Sequence, residues 1–207
     1  PEATIPGNRY PGAQEEIAAR LQPALDTGRI VIHYGRALGT ELDLSELRTT
    51  HDAVLLAMGL GQERKLSGQR PEGVSDALSF LAGVKAGSII AVPKRVAILS
   101  GGDCAMDAAR QAKALGADDL FIVYGGPRAE MHWHMEEAWT ASEGVHLMTQ
   151  TTPLGYTVES DGKLTGVTCR LSEFTPDAES TLPVDLVIEA MGLTISDAVK
   201  QAIAGVS

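Results

Sequence analysis

The chain has 207 residues, 44% of them hydrophobic and 4% aromatic, and carries a formal charge of −10. That length holds one large domain, or one domain with part of a neighbour, around a core of Val, Ile, Leu, Ala and Met. The acidic balance argues against nucleic-acid and anionic-membrane binding, which need a basic surface, and no apolar run reaches the roughly 18 residues of a membrane span.

The chain opens at Pro1 without a methionine, and PEATIPGNRYPG reads as the middle of a longer sequence. Residues 13–25 then place Ile17, Ala18, Leu21 and Leu25 at helical spacing, with Gly28 as the stop, and RIVIHY (29–34) predicts a short strand. LDLSELRTT supports a helical turn capped by Asp43 or Ser45, and HDAVLLAMGLG predicts a buried strand over 53–57 that ends in a glycine turn. Residues 62–73 are polar and loop-like, and 74–84 read as a short helix.

The most informative stretch is VAILSGGDCAMDAARQAKALGADDLFIVYGG (96–126). It predicts a strand at 95–99, a small-residue turn, a helix at 103–115 with Gly116 as C-cap, and a second strand at 120–124. A polar loop, GGPRAEMHWHMEE, a short helix to about residue 142 and the strand VHLMT follow. LGYTVES and KLTGVTCRLSE alternate around Asp161-Gly162, a hairpin signal. VDLVIEAMG is apolar almost throughout, as a parallel strand covered on both faces is. The fold class is therefore α/β: a Rossmann-like parallel sheet with an antiparallel β-meander.

In a strand–turn–helix of this kind, backbone N–H groups at the helix N-terminus face a pyrophosphate and the helix field favours its charge. Three small positions make the turn tight, let the backbone approach the ligand, and seat the helix on the strand. Here they are Ser100, Gly102 and Ala105, with Gly101 adding freedom. Ser100 is the odd member: its side chain strains the turn or crowds the cofactor, or its hydroxyl donates to a phosphate. Asp103 reads as the helix cap and Cys104 as core packing. The cofactor's ribose is read at the end of the second strand, where an acid bonds the 2′-hydroxyl of NAD and arginines hold the 2′-phosphate of NADP. The sequence offers Tyr124, Gly125, Gly126, Pro127 and Arg128, with no acid before Glu130 and Arg128 as the cation in reach.

Other groups read as structural. His132 and His134, two histidines on a loop, make a poor zinc site; Glu136 and Glu137 suit a helix start, and Met131 and Met135 suit packing. No metal site and no catalytic side chain are expected. Cys104 and Cys169 form no CxxC pair, which argues against a redox dithiol or a ligated iron–sulfur cluster within the chain and fits a reducing cytoplasm.

Taken together, VAILSGGDCAMDAARQAKALGADDLFIVY, EMHWHMEEA, DLVIEAMG and HDAVLLAMGLGQERKLSG resemble the family of the small (beta) subunit of NADPH-dependent glutamate synthase, over residues 5–193. The wider family includes the flavin and NADPH half of dihydropyrimidine dehydrogenase. Its members interleave two dinucleotide-binding domains and pass hydride from nicotinamide to flavin. The resemblance implies that residues 1–60 are the late part of an FAD domain, that 61–192 are the inserted NAD(P)H-binding domain, and that 193–207 begin the return to the FAD domain. The similar strand ends LLAMG and IEAMG would mark the two crossings. It further implies that Ser100, Gly101, Gly102, Asp103, Cys104 and Ala105 lie at the pyrophosphate. Tyr124, Gly125, Gly126 and Arg128 would lie near the adenosine ribose, with Met191 and Gly192 contributing at the second crossing.

Three departures from the family bear on cofactors. Its first loop glycine is Ser100, and its Tyr-Arg-Arg signature for the 2′-phosphate is Tyr124-Gly125-Gly126. The FAD domain's own glycine loop and late Gly-Asp do not occur in this chain, so FAD is expected in the complete protein and not tightly on this chain alone. A charge-assisted bond is worth roughly 1.5–3 kcal/mol, so losing two arginines costs NADP a hundredfold or more and NAD nothing. The expected cofactor is NAD(P)H with NAD(H) preferred, and the expected partners are the FAD domain and other subunits of a larger oxidoreductase, including an iron–sulfur protein. The alternative is a degenerate, non-catalytic domain kept for subunit docking or nucleotide sensing.

Overall fold

The computed structural model describes residues 13–60, 62–66, 69–131, 144–171 and 178–204. In chain order its elements are α1 (Ala13–Asp26), α2 (Leu44–Thr50), β1 (Gln62–Glu63), β2 (Val74–Asp76), α3 (Ala77–Lys85), β3 (Arg95–Leu99), α4 (Asp103–Ala114) and β4 (Asp119–Val123). After a 3-10 turn at Arg128–Glu130 come β5 (Val145–Met148), β6 (Thr151–Val158), β7 (Leu164–Leu171), β8 (Glu179–Pro183), β9 (Leu186–Glu189), β10 (Leu193–Thr194) and α5 (Asp197–Ala202). The chain divides into two units. One is Arg64–Gly192; the other takes in residues 13–63 and 193–204.

The first unit is built on a parallel sheet in the order β2-β9-β3-β4-β5. Side chains alternate across it, as the two-residue period of a strand requires. Val96 and Ile98 of β3, Leu120 and Ile122 of β4 and Ile188 of β9 pack with Ala77 and Phe80 of α3 and with α4. Their neighbours Ala97, Leu99, Val123 and Val187 pack on the other face, against Leu164, Val167 and Cys169 of β7. The second cover is an antiparallel sheet, β6-β7-β8, so both faces of the central strands are covered and the interiors of β3, β4 and β9 are apolar. Each fully buried Val, Leu or Ile contributes about 1.5–3 kcal/mol, and the helix comes close because α4 turns Ala105, Ala108, Ala109 and Ala112 inward. The α/β class, the parallel sheet and the antiparallel meander all follow the sequence expectation. So does the hairpin, which closes with Glu159 N–H donating to the Lys163 carbonyl at 2.9 Å.

The second unit departs from expectation. Residues 29–34 and 53–57 are not strands: they carry no ladder, and Val31, Tyr34 and Leu55 are 70%, 84% and 89% exposed. The physical reason is the lack of a partner among the described residues, since an extended segment becomes a strand only when another backbone takes up its N–H and C=O groups. The helix α2 does form, with Asp43 as its cap accepting from the N–H groups of Ser45 (2.8 Å) and Glu46 (3.1 Å). β1 pairs antiparallel with β10, through Gln62↔Thr194 and Glu63↔Leu193.

Two boundaries in the first unit also differ. Residues 74–76, expected as the start of a helix, form β2 beside β9, because Val74 pairs with Val187 before Asp76 caps α3. The strand β8 was not foreseen, since ESTLP has a single large apolar residue, Leu182; it forms by pairing with β7 from Gly166↔Pro183 to Arg170↔Glu179. The expected helix to about residue 142, with His132, His134, Met135, Glu136 and Glu137, lies outside the described residues.

Candidate functional site

The register of β3 with β4, Val96↔Leu120 through Leu99↔Val123, makes the two strands end together. Their following loops, 100–102 and 124–126, therefore stand side by side at the carboxyl edge of the sheet, where open α/β sheets bind ligands. Ser100 N–H donates to the Val123 carbonyl at 2.9 Å and ties the first loop to the second strand. The second loop is tied in turn to the turn between β5 and β6. Tyr124 N–H donates to Met148 O (2.8 Å), Gln150 N–H to Gly126 O (2.9 Å) and Thr151 N–H to Tyr124 O (3.0 Å).

Ser100 has φ +127°, a conformation that favours glycine. The position therefore keeps the backbone shape of a glycine turn while carrying a side chain, at a cost of order 1–3 kcal/mol. The backbone thus carries the strain that one of the sequence readings of Ser100 expects. Gly102 is the N-cap of α4 and has no side chain to cap it, and Asp103 is the first helical residue; the expectation that Asp103 caps the helix is corrected. The reason is that Gly102, with φ −89° and ψ 176°, already occupies the extended cap conformation one residue earlier.

The four glycines of the two loops face different things. A Cβ built on Gly101 would lie 2.7 Å from Met131 Cε and 3.2 Å from Tyr124 Cδ2, and one on Gly126 would lie 2.8 Å from the Tyr124 ring. These two positions are glycine because Met131 and Tyr124 fill the space. Among the described residues and apart from chain neighbours, a Cβ on Gly102 meets nothing within 4 Å, and one on Gly125 meets only Thr152 Oγ1, at 3.6 Å. Neither has a positive φ, so neither backbone conformation nor protein packing demands glycine there. The room over Gly102, at the start of a twelve-residue helix, is of the kind an approaching phosphate uses.

The remaining sequence candidates are placed as follows. Ala105 is fully buried under the sheet and Cys104 packs partly against the same cluster, so their side chains hold the helix in position. Arg128 is exposed and opens the 3-10 turn. Met191 packs on the meander side of the sheet, and Gly192, with φ +90°, accepts from Arg64 N–H at 3.0 Å. Both follow β9, whose Glu189 is level with Leu99.

Sequence reasoning passed over Glu189. Its carboxylate is buried and accepts from Leu66 N–H (2.7 Å), from the Tyr156 hydroxyl and from Arg70 Nε; Arg70 Nη1 also lies 3.4 Å from Asp76. Burial and the Glu189 bond both push the Tyr156 phenol above its ordinary pKa. The signal was available: an acid inside the apolar run VDLVIEAMG must be either edge-exposed or fully partnered. Burial likewise pushes the Cys169 thiol up to about 11, which makes it an inert core residue. No group of metal-ligating side chains occurs among the described residues, and no helix among them is long and apolar enough to cross a membrane.

A parallel sheet with a glycine-rich strand–helix turn at its carboxyl edge defines an α/β protein with the Rossmann-like plan. The chain belongs to the pyridine nucleotide-disulphide oxidoreductase family, whose model matches residues 9–206. It is 30% identical to the glutamate synthase (NADPH) small chain of Azospirillum brasilense, over 93% of this chain and 45% of that one. It is 29% identical to the corresponding small chain of Escherichia coli K12, over 91% and 43%. To the NADP(+)-dependent formate dehydrogenase subunit beta of Moorella thermoacetica it is 30% identical, over 91% and 29%. The chain thus spans less than half the length of each of these three relatives. A thioredoxin reductase from Streptococcus pyogenes superposes on 58% of the chain and 36% of its own, with a TM-score of 0.47 and 16% identity.

Proposed function

We propose that this chain is the nicotinamide-dinucleotide-binding portion of a flavin-dependent oxidoreductase similar to the glutamate synthase small chain. In this reading residues 61–192 bind NAD(P)H, while 1–60 and 193–207 belong to an FAD domain completed by polypeptide outside this chain. The single observation that carries the dinucleotide assignment is Gly102. It caps α4 under open space, with nothing among the described residues requiring a glycine, which fits the close approach of a pyrophosphate. Gly101, Gly102, Asp103 and Cys104 would line the pyrophosphate, and Tyr124 to Gly126 with Arg128 would stand near the adenosine ribose.

The reduced nicotinamide, when bound, supplies a hydride to the flavin; the chain's own part is orientation. The N-terminus of α4 fixes the phosphates, Ala105 keeps that helix against the sheet, and the bonds from Gln150 and Thr151 hold the ribose loop rigid. No side chain of this chain is assigned a nucleophilic or proton-transfer role. Glycine in place of both family arginines removes the cationic grip on a 2′-phosphate, so NAD(H) is favoured over NADP(H) although the relatives quoted above carry NADPH or NADP in their names. The relatives named as subunits and small chains support other oxidoreductase subunits as partners. The free thiols Cys104 and Cys169 support a reducing compartment, the cytoplasm.

Calorimetric titration of the chain with NADH, NADPH and ADP-ribose tests this reading. Binding of NADH and ADP-ribose, with NADPH weaker, is the expected result. Gly102→Ala should abolish it at a cost of only about 1 kcal/mol in stability, since alanine is the poorer N-cap but the methyl group has room. Absence of binding for all three ligands would instead favour a fold retained for subunit docking, the reading to which the strained Ser100 points.

A further inference from the structure

The edge of the site holds a side chain with no assigned task. Thr152 is the second residue of β6, where the bonds of Gln150 and Thr151 to the 124–126 loop bring it across the end of β4. Its Oγ1 lies 3.6 Å from the place a Gly125 Cβ would occupy and, chain neighbours aside, is the one atom within 4 Å of that place among the described residues. Thr152 is exposed, and its hydroxyl makes no hydrogen bond among the described residues. Its cross-strand neighbour Arg170 is turned toward Glu179, with Nη2 2.8 Å from the carboxylate. Tyr124 faces elsewhere, its ring filling the space beside Gly101 and Gly126. Among the described residues, and apart from Gly125's own chain neighbours, the group nearest this volume is thus the neutral hydroxyl of Thr152.

In a strand–helix–strand dinucleotide fold this volume, past the end of the second strand, is where the adenosine ribose lies. We infer that Thr152 is the specificity-determining residue of the ribose subsite, its hydroxyl bonding the 2′-hydroxyl of an NAD-type dinucleotide in place of an acid on the second strand. A threonine hydroxyl both donates and accepts, so it matches a 2′-hydroxyl, and it carries no charge with which to neutralise a 2′-phosphate. The inference rests on the dinucleotide reading above and goes beyond it in naming a residue from outside the strand–helix–strand unit.

The test pairs a change in the protein with a change in the ligand. The full 207-residue chain and its Thr152→Val and Thr152→Ser variants are titrated with NADH and with the analogue of NADH whose adenosine lacks the 2′-hydroxyl. A neutral hydrogen bond predicts that the unmodified chain binds NADH roughly three- to tenfold tighter than the deoxy analogue. Thr152→Val should bind the two ligands equally and Thr152→Ser should keep the preference. Equal discrimination by the unmodified chain and Thr152→Val overturns the assignment of Thr152 while leaving dinucleotide binding intact. A parallel loss of both ligands in Thr152→Val also overturns it, by marking Thr152 as structural. If the unmodified chain binds neither ligand, the dinucleotide reading itself fails and takes this one with it.

Discussion

At the scale of single residues, the turn at Ser100 and the glycine pair after β4 bear most directly on the proposed cofactor site. Ser100 occupies φ +127° with a side chain, in a turn otherwise shaped for glycine. Ser100→Gly should therefore raise stability by about 1 kcal/mol, the relief of strain exceeding the extra chain entropy of glycine. Chemical denaturation followed by circular dichroism would show it, and an unchanged or lower midpoint would mean the turn is relaxed as it stands. The glycine pair after β4 is not symmetrical. A side chain on Gly125 has room beside Thr152, whereas one on Gly126 would run into the Tyr124 ring. Gly125→Arg alone is thus the substitution that should restore a 2′-phosphate grip. It is expected to tighten NADPH binding by roughly tenfold or more, on the scale of one charge-assisted bond, with no such gain for NADH. Gly126→Arg should give no such gain, because the tyrosine must move first. Comparable affinities for NADPH before and after Gly125→Arg would show that the loop does not face the ribose.

At the scale of elements, the carboxyl edge of the sheet is held by backbone bonds on one side and by a charge network on the other. Glu189 at the end of β9 gathers Leu66, Arg70 and Tyr156, fastening the segment that enters the first unit to the strand that leaves it. Removing its carboxylate takes from the mostly buried Arg70 guanidinium its closest acid and from the Tyr156 phenol its acceptor. Glu189→Ala should cost about 3 kcal/mol, and Glu189→Gln distinctly less because acceptor capacity survives. A thermal melt of each variant separates the two, and equal losses would mean that packing volume rather than the charge sets the cost. The antiparallel sheet matters here as well: by covering the second face of the parallel sheet, β6-β7-β8 delivers Gln150, Thr151 and Thr152 to the loop that ends β4.

At the scale of the whole molecule, the two units differ in how far they bury their apolar sequence. In the unit of 64–192 both sheet faces are covered, while in the other Val31, Tyr34 and Leu55 are open to solvent. Exposed apolar segments with unpaired backbone are templates for association. The purified chain is expected to self-associate with rising concentration, and Leu55→Lys to reduce this without lowering the melting temperature, since the side chain it replaces is 89% exposed. Sedimentation velocity across a concentration series reads both, and a monomer at every concentration would contradict the expectation.

How much of this was legible beforehand depends on the range of the interactions involved. The sequence by itself determined β3, α4, β4, β9 and the hairpin, because each is written in local terms: apolar runs, small residues at a turn, a Gly that ends a helix, an Asp-Gly between alternating segments. It also marked the turn at Ser100 as irregular. Only the tertiary structure decided the strand fate of 29–34 and 53–57, since a strand needs a partner that no local pattern supplies. It likewise sorted four similar glycines into two that pack against Tyr124 and Met131 and two that face open space. Thr152 stands next to Gly125 although 26 residues of sequence lie between them, brought there by backbone bonds from one loop to the next, and contact across such a distance is a property of the folded chain alone.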